Sequence, residues 1–563
     1  MVSQSRLAYT LLLLCAAYVA SRAQTPPQAK TGYAVAGVVL NAKTGLPVHD
    51  AEVSLIRTPT QNQGRLQTAS TVTGDDGHFA FTDIPAGKFE LQVARRGYIT
   101  ANYDQHENGS TAIVTGENPQ TATLDPTAIE FRLAPQAVLF GNISEDSGDP
   151  VPGAHISIFR SRPGRASGNL HSAGQTNADE QGNYEISNLA PGEYYLAVNG
   201  TPWYQPQNTG NIKKPAEPRS PLDVAYPTTY YPDATDSAFA APIAIGAGDR
   251  VQINLTLHPT PSLHLTMQIP AGGASHSFTA PQLRQDVFGT TNDIQARMSF
   301  LTPPEVRDNG APNTTVELSG IAPGQYDLAL LSPNGQPSRE TSVNLASDQT
   351  LDAASATPLA DLSSKLLPAS GGKLPTSLYL MLEPQEGENR LSAQLEPDGS
   401  FHIHSLHAGV YELVISSGEY PMTVTHLSAT GATVSGRLIT IGSEPVTLTA
   451  TIAESTAILH GFARQNGKSA PGVFLLLVPK DQNAGREAWR TNQSDSDGSF
   501  DFPQVMPGEY TLVAIQEGWT LDLPPDPAHS ESISKYLAGG LKITVPAHAG
   551  DINLKNAVEV QPK

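Results

Sequence analysis

Few residues in this chain are of types and spacings suited to chemistry. His402, His404 and His407 fall together in the stretch FHIHSLH. On a strand, His402 and His404 share one face while Phe401 and Ile403 point to the other. Two neutral imidazoles on one face can begin a zinc or copper site, with His407 or an acid to complete it. The plainer reading is a solvated strand face, and no metal is expected. His49-Asp50-Ala51-Glu52 has the H-x-x-E spacing that sets two ligands one helical turn apart, but PVHDAEVSL reads as entry to a strand. Gly467-Lys468-Ser469 imitates the end of a phosphate loop, yet Gly461 stands one residue too far upstream and no helix follows. Asp495 and Asp497 are spaced like calcium ligands, but Gln493 and Gln504 stand where further acids belong. No G-x-S-x-G elbow occurs. No catalytic residue and no cofactor is therefore expected. The binding candidate is an insert rich in proline and polar residues that carries Trp203, Tyr204, Tyr226, Tyr230 and Tyr231. Exposed rings of this kind stack on sugars or anchor protein partners; the alternative is that they pack on a neighbouring domain.

The elements that must position these residues come from a repeat. Five blocks align without gaps: IPAGKFELQV, LAPGEYYLAV, IAPGQYDLAL, LHAGVYELVI and VMPGEYTLVA. Glycine is fourth in each (Gly87, Gly192, Gly324, Gly409, Gly508), an aromatic sixth (Phe89, Tyr194, Tyr326, Tyr411, Tyr510) and leucine eighth. The glycine suits a tight turn with φ > 0, and the apolar residues at every second position form one face of a half-buried strand. About ten residues upstream, TGDDGHFAF, NADEQGNYEI, LEPDGSFHI and SDSDGSFDF read as hairpins. In the third copy, around Arg307, Thr314 stands in place of the turn glycine. Three copies open with a further glycine-turned strand, at Gly37, Gly141 and Gly461. Helical periodicity is confined to Asp352–Leu367 and Ser530–Leu541.

The block glycines recur at intervals of about a hundred residues, enough for a unit that buries its own core as two packed sheets. The expected fold is all-β: a tandem array of about five seven-stranded β-sandwich domains, prealbumin-like or Ig-like. Their limits are 33–135, 136–260 with the aromatic insert, 261–351 in divergent form, 352–455 and 456–563. Composition agrees. The 563 residues include 48 Gly and 46 Pro, too many for a helical bundle, while 39% hydrophobic residues are too many for a disordered acidic chain. A formal charge of −20 argues against nucleic-acid binding.

Residues 1–23 read as a secretory signal peptide: Arg6, the apolar run Leu7 to Ala20, then Ser21-Arg22-Ala23 before Gln24. The run is too short to span a membrane, and no transmembrane span is expected in the mature chain. Cys15, the only cysteine, lies inside this segment, and Leu13 and Leu14 before it do not suit lipidation. Disulfides and thiolate chemistry are thus not expected after cleavage.

The opening G-x-V-x-x-x-x-x-G-x-P-V-x-x-A-x-V, the D-x-x-G-x-F/Y hairpin and the P/A-G-x-Y-x-L block together resemble the carboxypeptidase regulatory-like domain, a prealbumin-like sandwich. The likeness covers 33–133, 137–258 and 456–556 and, in more divergent form, 369–454 and 262–350. It implies a non-catalytic domain that accompanies other activities, as in tandem copies within bacterial exported envelope proteins. The expectation is a non-enzymatic scaffold or binding protein at the cell surface, in the periplasm or outside the cell, with a protein or glycan partner. The alternatives are a carbohydrate-binding protein that uses the aromatics of the second domain, given a fold similar in outline to carbohydrate-binding modules, and an accessory subunit of an envelope enzyme or transporter.

Overall fold

The computed structural model describes residues 32–563 apart from 59–65, 107–108, 117–123, 162–169, 206–218, 270–280, 302–313, 333–335, 370, 375–377, 386–390, 397, 418–421, 455–456, 482–487, 522–530 and 547–548. The expected signal peptide with Cys15, and the degenerate hairpin around Arg307, lie outside the described residues; Thr314 itself opens the strand Thr314–Ile321.

Among the described residues strands predominate and helix is scarce, and one pattern recurs five times. An opening strand is flanked by an antiparallel hairpin strand and a parallel closing strand. Tyr33–Asn41 lies between His78–Ile84 and Ile129–Leu133. Ala137–Glu145 is flanked by Asn183–Leu189 and by Arg250–Gln252 and Leu255–Leu257. Leu263–Ile269 lies between Thr314–Ile321 and Gln349–Asp352, and Ala360–Pro368 between Ser400–Leu406 and Val446–Glu454. Ile458–Gln465 is flanked by Ser499–Phe502 and by Asp551–Asn553 and Val558–Gln561. A second layer faces each of these, built on the repeated block: Gly87–Ala94, Gly192–Asn199, Gly324–Leu331, Gly409–Ser417 and Gly508–Ile515 each pair antiparallel with the strand before the hairpin. In the first four units this layer is a separate sheet; in the fifth, Val558–Gln561 pairs with both Ile458–Gln465 and Gly508–Ile515 and joins the two layers into one sheet.

Side-chain alternation puts one face of every block into a core. Phe89, Leu91 and Val93 are each fully buried, as are Leu196 and Val198 behind Tyr194. Burying each such side chain stabilises by about 1.5–3 kcal/mol. Each sandwich has its own core cluster. A further cluster lies between the fifth sandwich and the helix Glu531–Leu537, and another, with Phe159, Tyr230 and Val287, lies between the second sandwich and the third.

Two expectations fail. The stretch from Asp352 to Leu367 is not helical. After a 3-10 turn at Ala353–Ser355 it becomes the strand Ala360–Pro368, because Ala360, Leu362, Ser364 and Leu366 alternate inward at period two. The other helical expectation holds, as Glu531–Leu537 is an α-helix. Second, the block glycines do not supply the left-handed turn. Gly192, Gly324 and Gly409 have ordinary φ, and Gly87 and Gly508 have φ of 157° and 158°, close to fully extended. The left-handed residue is the one just before each block: Asp83 (φ 59°), Asn188 (61°), Gly320 (77°), Ser405 (64°) and Gln504 (58°). In the first four sandwiches it coincides with a break in register against the opening strand, so the turn is carried by a β-bulge.

Candidate functional site

What the block glycine does provide is room. In four blocks the aromatic ring two residues later folds back over it. A Cβ placed on Gly87, Gly324, Gly409 or Gly508 would lie 3.3–3.5 Å from the Phe89, Tyr326, Tyr411 or Tyr510 side chain. Each tyrosine hydroxyl then donates to the carbonyl four residues back. Tyr194 reaches Ala190 O (2.6 Å), Tyr326 Ala322 O (2.8 Å), Tyr411 His407 O (3.0 Å) and Tyr510 Met506 O (2.9 Å). Phe89 has no hydroxyl, and there the Thr115 hydroxyl donates to the corresponding Pro85 carbonyl at 2.7 Å. These residues hold the fold together.

The aromatic insert does not form one exposed face. Tyr226 is buried, and its hydroxyl donates to Glu145 Oε2 at 2.6 Å; half-buried Tyr204 donates to the same oxygen at 3.0 Å. Burial raises the Tyr226 phenol, and the Glu145 carboxylate adds to that. On Glu145 burial acts upward, but the donors Tyr226, Ser147 and Tyr204 outweigh it and hold the carboxyl below its usual range. Tyr230 is buried against the third sandwich, edge-on to Phe288 with ring centres 5.1 Å apart, and burial pushes its phenol up to about 12. Half-buried Tyr231 packs on the core of its own sandwich. Trp203, at 73% exposure, is the member that faces solvent, with Tyr204 edge-on at 5.6 Å.

The same insert carries a residue that sequence reasoning missed. Asp223, half-buried with its side chain largely covered, accepts from Ser262 Oγ (2.7 Å), from His264 Nε2 (2.6 Å) and from Arg297. His264 Nδ1 faces Glu317 at 3.2 Å, while its backbone N–H donates to Asp348, which also pairs with Arg219. Three carboxylates thus meet three cationic groups once His264 is protonated. Glu317, followed by Asp223, raises the His264 imidazole above its usual range against the opposing effect of burial. Burial would raise Asp223, but Ser262, His264 and Arg297 hold it low. His258 is likewise raised: burial opposes protonation, and Asp146 at 2.5 Å and Asp233 at 3.2 Å prevail. Beside this cluster a cavity of about 390 Å³ opens between the second and third sandwiches, lined by Gln205, Tyr226, Gln285, Asn292 and Tyr326 among others.

The three histidines of the fourth sandwich each meet a different partner. His402 contacts Ser363 (3.2 Å), His404 contacts Asp361 (3.1 Å) and His407 contacts Glu340 of the third sandwich (3.2 Å). Phe401 and Ile403 are buried opposite, as the alternation requires. Among the described residues, no three His, Cys, Asp or Glu side chains converge as a metal site would need. His49 contacts Asp50 and Arg95 in a turn, and Gly467-Lys468-Ser469 continues the two-residue hairpin turn Asn466-Gly467.

Asp495 and Asp497 sit where the first and fifth sandwiches meet. Lys88 Nζ lies 2.7 Å from Asp495 and 2.6 Å from Asp501. Gln493 Nε2 donates to Asp104 O (2.7 Å), Asp104 Oδ2 (3.0 Å) and Thr111 Oγ1 (2.8 Å). Ser496 N donates to Ala112 O (2.9 Å), and Val114 N donates to Ser496 Oγ (2.8 Å). His106 stacks on Trp519 with ring centres 4.4 Å apart and planes 4° from parallel. Burial pushes the Asp495 carboxyl up to about 6, with Lys88 acting the other way. The hairpin residues Gln493 to Asp497 are buried here, whereas Asp75, Asp76, Asp179, Glu180 and Asp398 of the sister hairpins are exposed. No local motif distinguishes the buried hairpin from the exposed ones, because what differs is the sandwich that covers it.

Residues 34–127 and 138–227 match the family model of the carboxypeptidase regulatory-like domain, together about a third of the chain. Residues 460–529 match a different model, the BOS complex subunit NOMO1-like, second beta sandwich domain. No curated protein matches the sequence. Similar solved structures include the Bacillus anthracis TIE protein (8% identity, 78% of this chain and 78% of that one, TM-score 0.16). A streptococcal ancillary pilin (12%, 57% and 98%, 0.18) and the shaft pilin SpaA of Lactobacillus rhamnosus GG (12%, 41% and 98%, 0.19) are also similar. No helix among the described residues is long and apolar enough to cross a membrane.

Proposed function

We infer, from a chain that carries carboxypeptidase regulatory-like domains in tandem within an all-β array, that this protein is a non-catalytic scaffold and binding protein exported to the cell envelope. Its working units are the five sandwiches 33–135, 136–260, 261–351, 352–455 and 456–563. One observation carries the reading: the clustered charged side chains are used to join sandwiches. Asp223, His264, Arg297 and Glu317 fasten the second to the third, and His407 meets Glu340 between the fourth and third. Lys88 meets Asp495 and Asp501 between the first and fifth. A scaffold of this kind presents fixed outer faces to a protein partner. X-ray scattering from the full chain tests it: a profile of sandwiches held in one arrangement supports the reading, and that of a flexible string sinks it.

A second reading, glycan contact, is favoured by the exposure of Trp203. Retention on a glycan array that disappears in Trp203→Ala supports sugar binding, and a blank array removes it.

A further inference from the structure

The contact between the first and fifth sandwiches joins surfaces that are about four hundred residues apart in sequence, and its chemistry differs from that of a core. Each partner is complete without the other: the first core is drawn from Val35 to Leu133 and the fifth from Ala457 to Val558. What lies between them is an ion triad around Lys88, the amide of Gln493 on Asp104 and Thr111, hydrogen bonds through the backbone N–H and the hydroxyl of Ser496, and the His106–Trp519 stack. Polar contacts between finished domains behave like a transient protein–protein interface, which parts without unfolding either side. The contact is also heterologous, since a surface of the first sandwich meets a different surface of the fifth. Within one chain such a pairing closes a ring; between chains it joins copies head to tail.

We propose that this contact is a self-recognition surface whose second partner is another copy of the same chain: the first sandwich of one molecule takes the Gln493–Ser499 hairpin of the next. Charge complementarity supports it, because Lys88 is set between Asp495 and Asp501 and would meet the same acids on any copy. The chemistry of the hairpin supports it as well. Its amide, hydroxyl and carboxylate groups take partners from the first sandwich, so in an opened chain they present the same complementary pattern to the first sandwich of another copy. Closure within one chain has the advantage of a high effective concentration, so joining between chains grows as protein concentration approaches roughly the millimolar range. The proposal rests on the contact in the closed chain and is independent of the envelope role.

The test uses full chains in which Cys15 is replaced by serine. Ala112 and Ser496 are joined by a backbone hydrogen bond, so their backbones lie side by side across the contact. A double variant, A112C with S496C, reports closure: on oxidation it gives a monomer that migrates faster on a non-reducing gel. A mixture of the two single variants reports joining between copies, because their heterodisulfide can form only between molecules. The expected result is a heterodimer band that exceeds either homodimer several-fold, grows with concentration and is lost when Lys88→Glu is added. A mixture with no more dimer than its separate components overturns the proposal. If the double variant closes while the mixture does not, the scaffold reading stands and self-recognition falls; if neither cross-links, the closed arrangement falls too. Sedimentation provides a readout that does not need buried cysteines. Lys88→Glu, with an unchanged β-sheet spectrum, is expected to sediment more slowly at low concentration and to lose concentration-dependent association; an unchanged profile overturns the proposal.

Discussion

At the start of each repeated strand a hydroxyl must satisfy one carbonyl, and the chain meets that need in two ways. Four sandwiches use a tyrosine that reaches back four residues, and the first uses Thr115 on a neighbouring strand, since Phe89 cannot donate. Thr115→Val keeps the shape and removes the donor of a part-buried hydrogen bond, so it is expected to destabilise by about 1 kcal/mol. Denaturant titration checks this, and Tyr194→Phe should cost the second sandwich about 1 kcal/mol by the same route. The glycines divide in a way their spacing does not announce. A Cβ on Gly141 would stand 1.6 Å from the Ile253 carbonyl, whereas on Gly192 it would meet only the flexible end of Arg160 at 2.8 Å. Gly141→Ala should therefore cost about 3 kcal/mol by forcing the closing strand away. Gly192→Ala should stay within about 0.5 kcal/mol. Equal losses in thermal melts would refute this division.

At the scale of elements, the insert of the second sandwich is tied to the opening strand of the third through Asp223 and His264. Because the folded protein raises the His264 imidazole above its usual 6.5, the stabilisation is fully present below pH 6.5 and is lost as pH rises through the folded value. The melting midpoint should fall across that window, and His264→Gln should flatten the fall; parallel curves for the two proteins would exclude His264 as the cause. His258, raised by Asp146 and Asp233, acts in the same direction, but about half of its side chain is exposed and water screens it. The strands themselves were legible, because period-two alternation around Phe89, Tyr194 and Tyr411 is a local property. The bulge residues Asp83, Asn188 and Ser405 were not, because their left-handed backbone is imposed by the register against another strand. Nor was the Asp223 cluster, whose members come from two repeats and share no spacing. The stretch from Asp352 to Leu367 misled because its alanines suit a helix, while the alternation of Leu362 and Leu366 with polar neighbours suits a sheet.

At the scale of the whole molecule, five cores joined in series would behave as a nearly one-dimensional array, in which each unit responds only to its neighbours. The first sandwich touches the second through the Gly248 N–H to Pro135 carbonyl bond (2.9 Å) and the Lys43–Asp249 pair, and it also touches the fifth. Closure makes the first and last units neighbours, which changes how damage spreads. Phe89→Ala removes a fully buried ring from the first core, at a cost of about 3–5 kcal/mol to that sandwich. In a linear array the loss would reach the second sandwich and fade before the fifth. In the closed molecule, the Gln493–Ser499 hairpin and the strand Ser499–Phe502 lose their cover when the first sandwich opens. Hydrogen exchange should therefore quicken at Gln493–Phe502 as well as in the second sandwich, while Gly324–Leu331 and Gly409–Ser417 of the third and fourth keep their protection. Protection retained at Gln493–Phe502 in Phe89→Ala would mean that the two ends are not coupled.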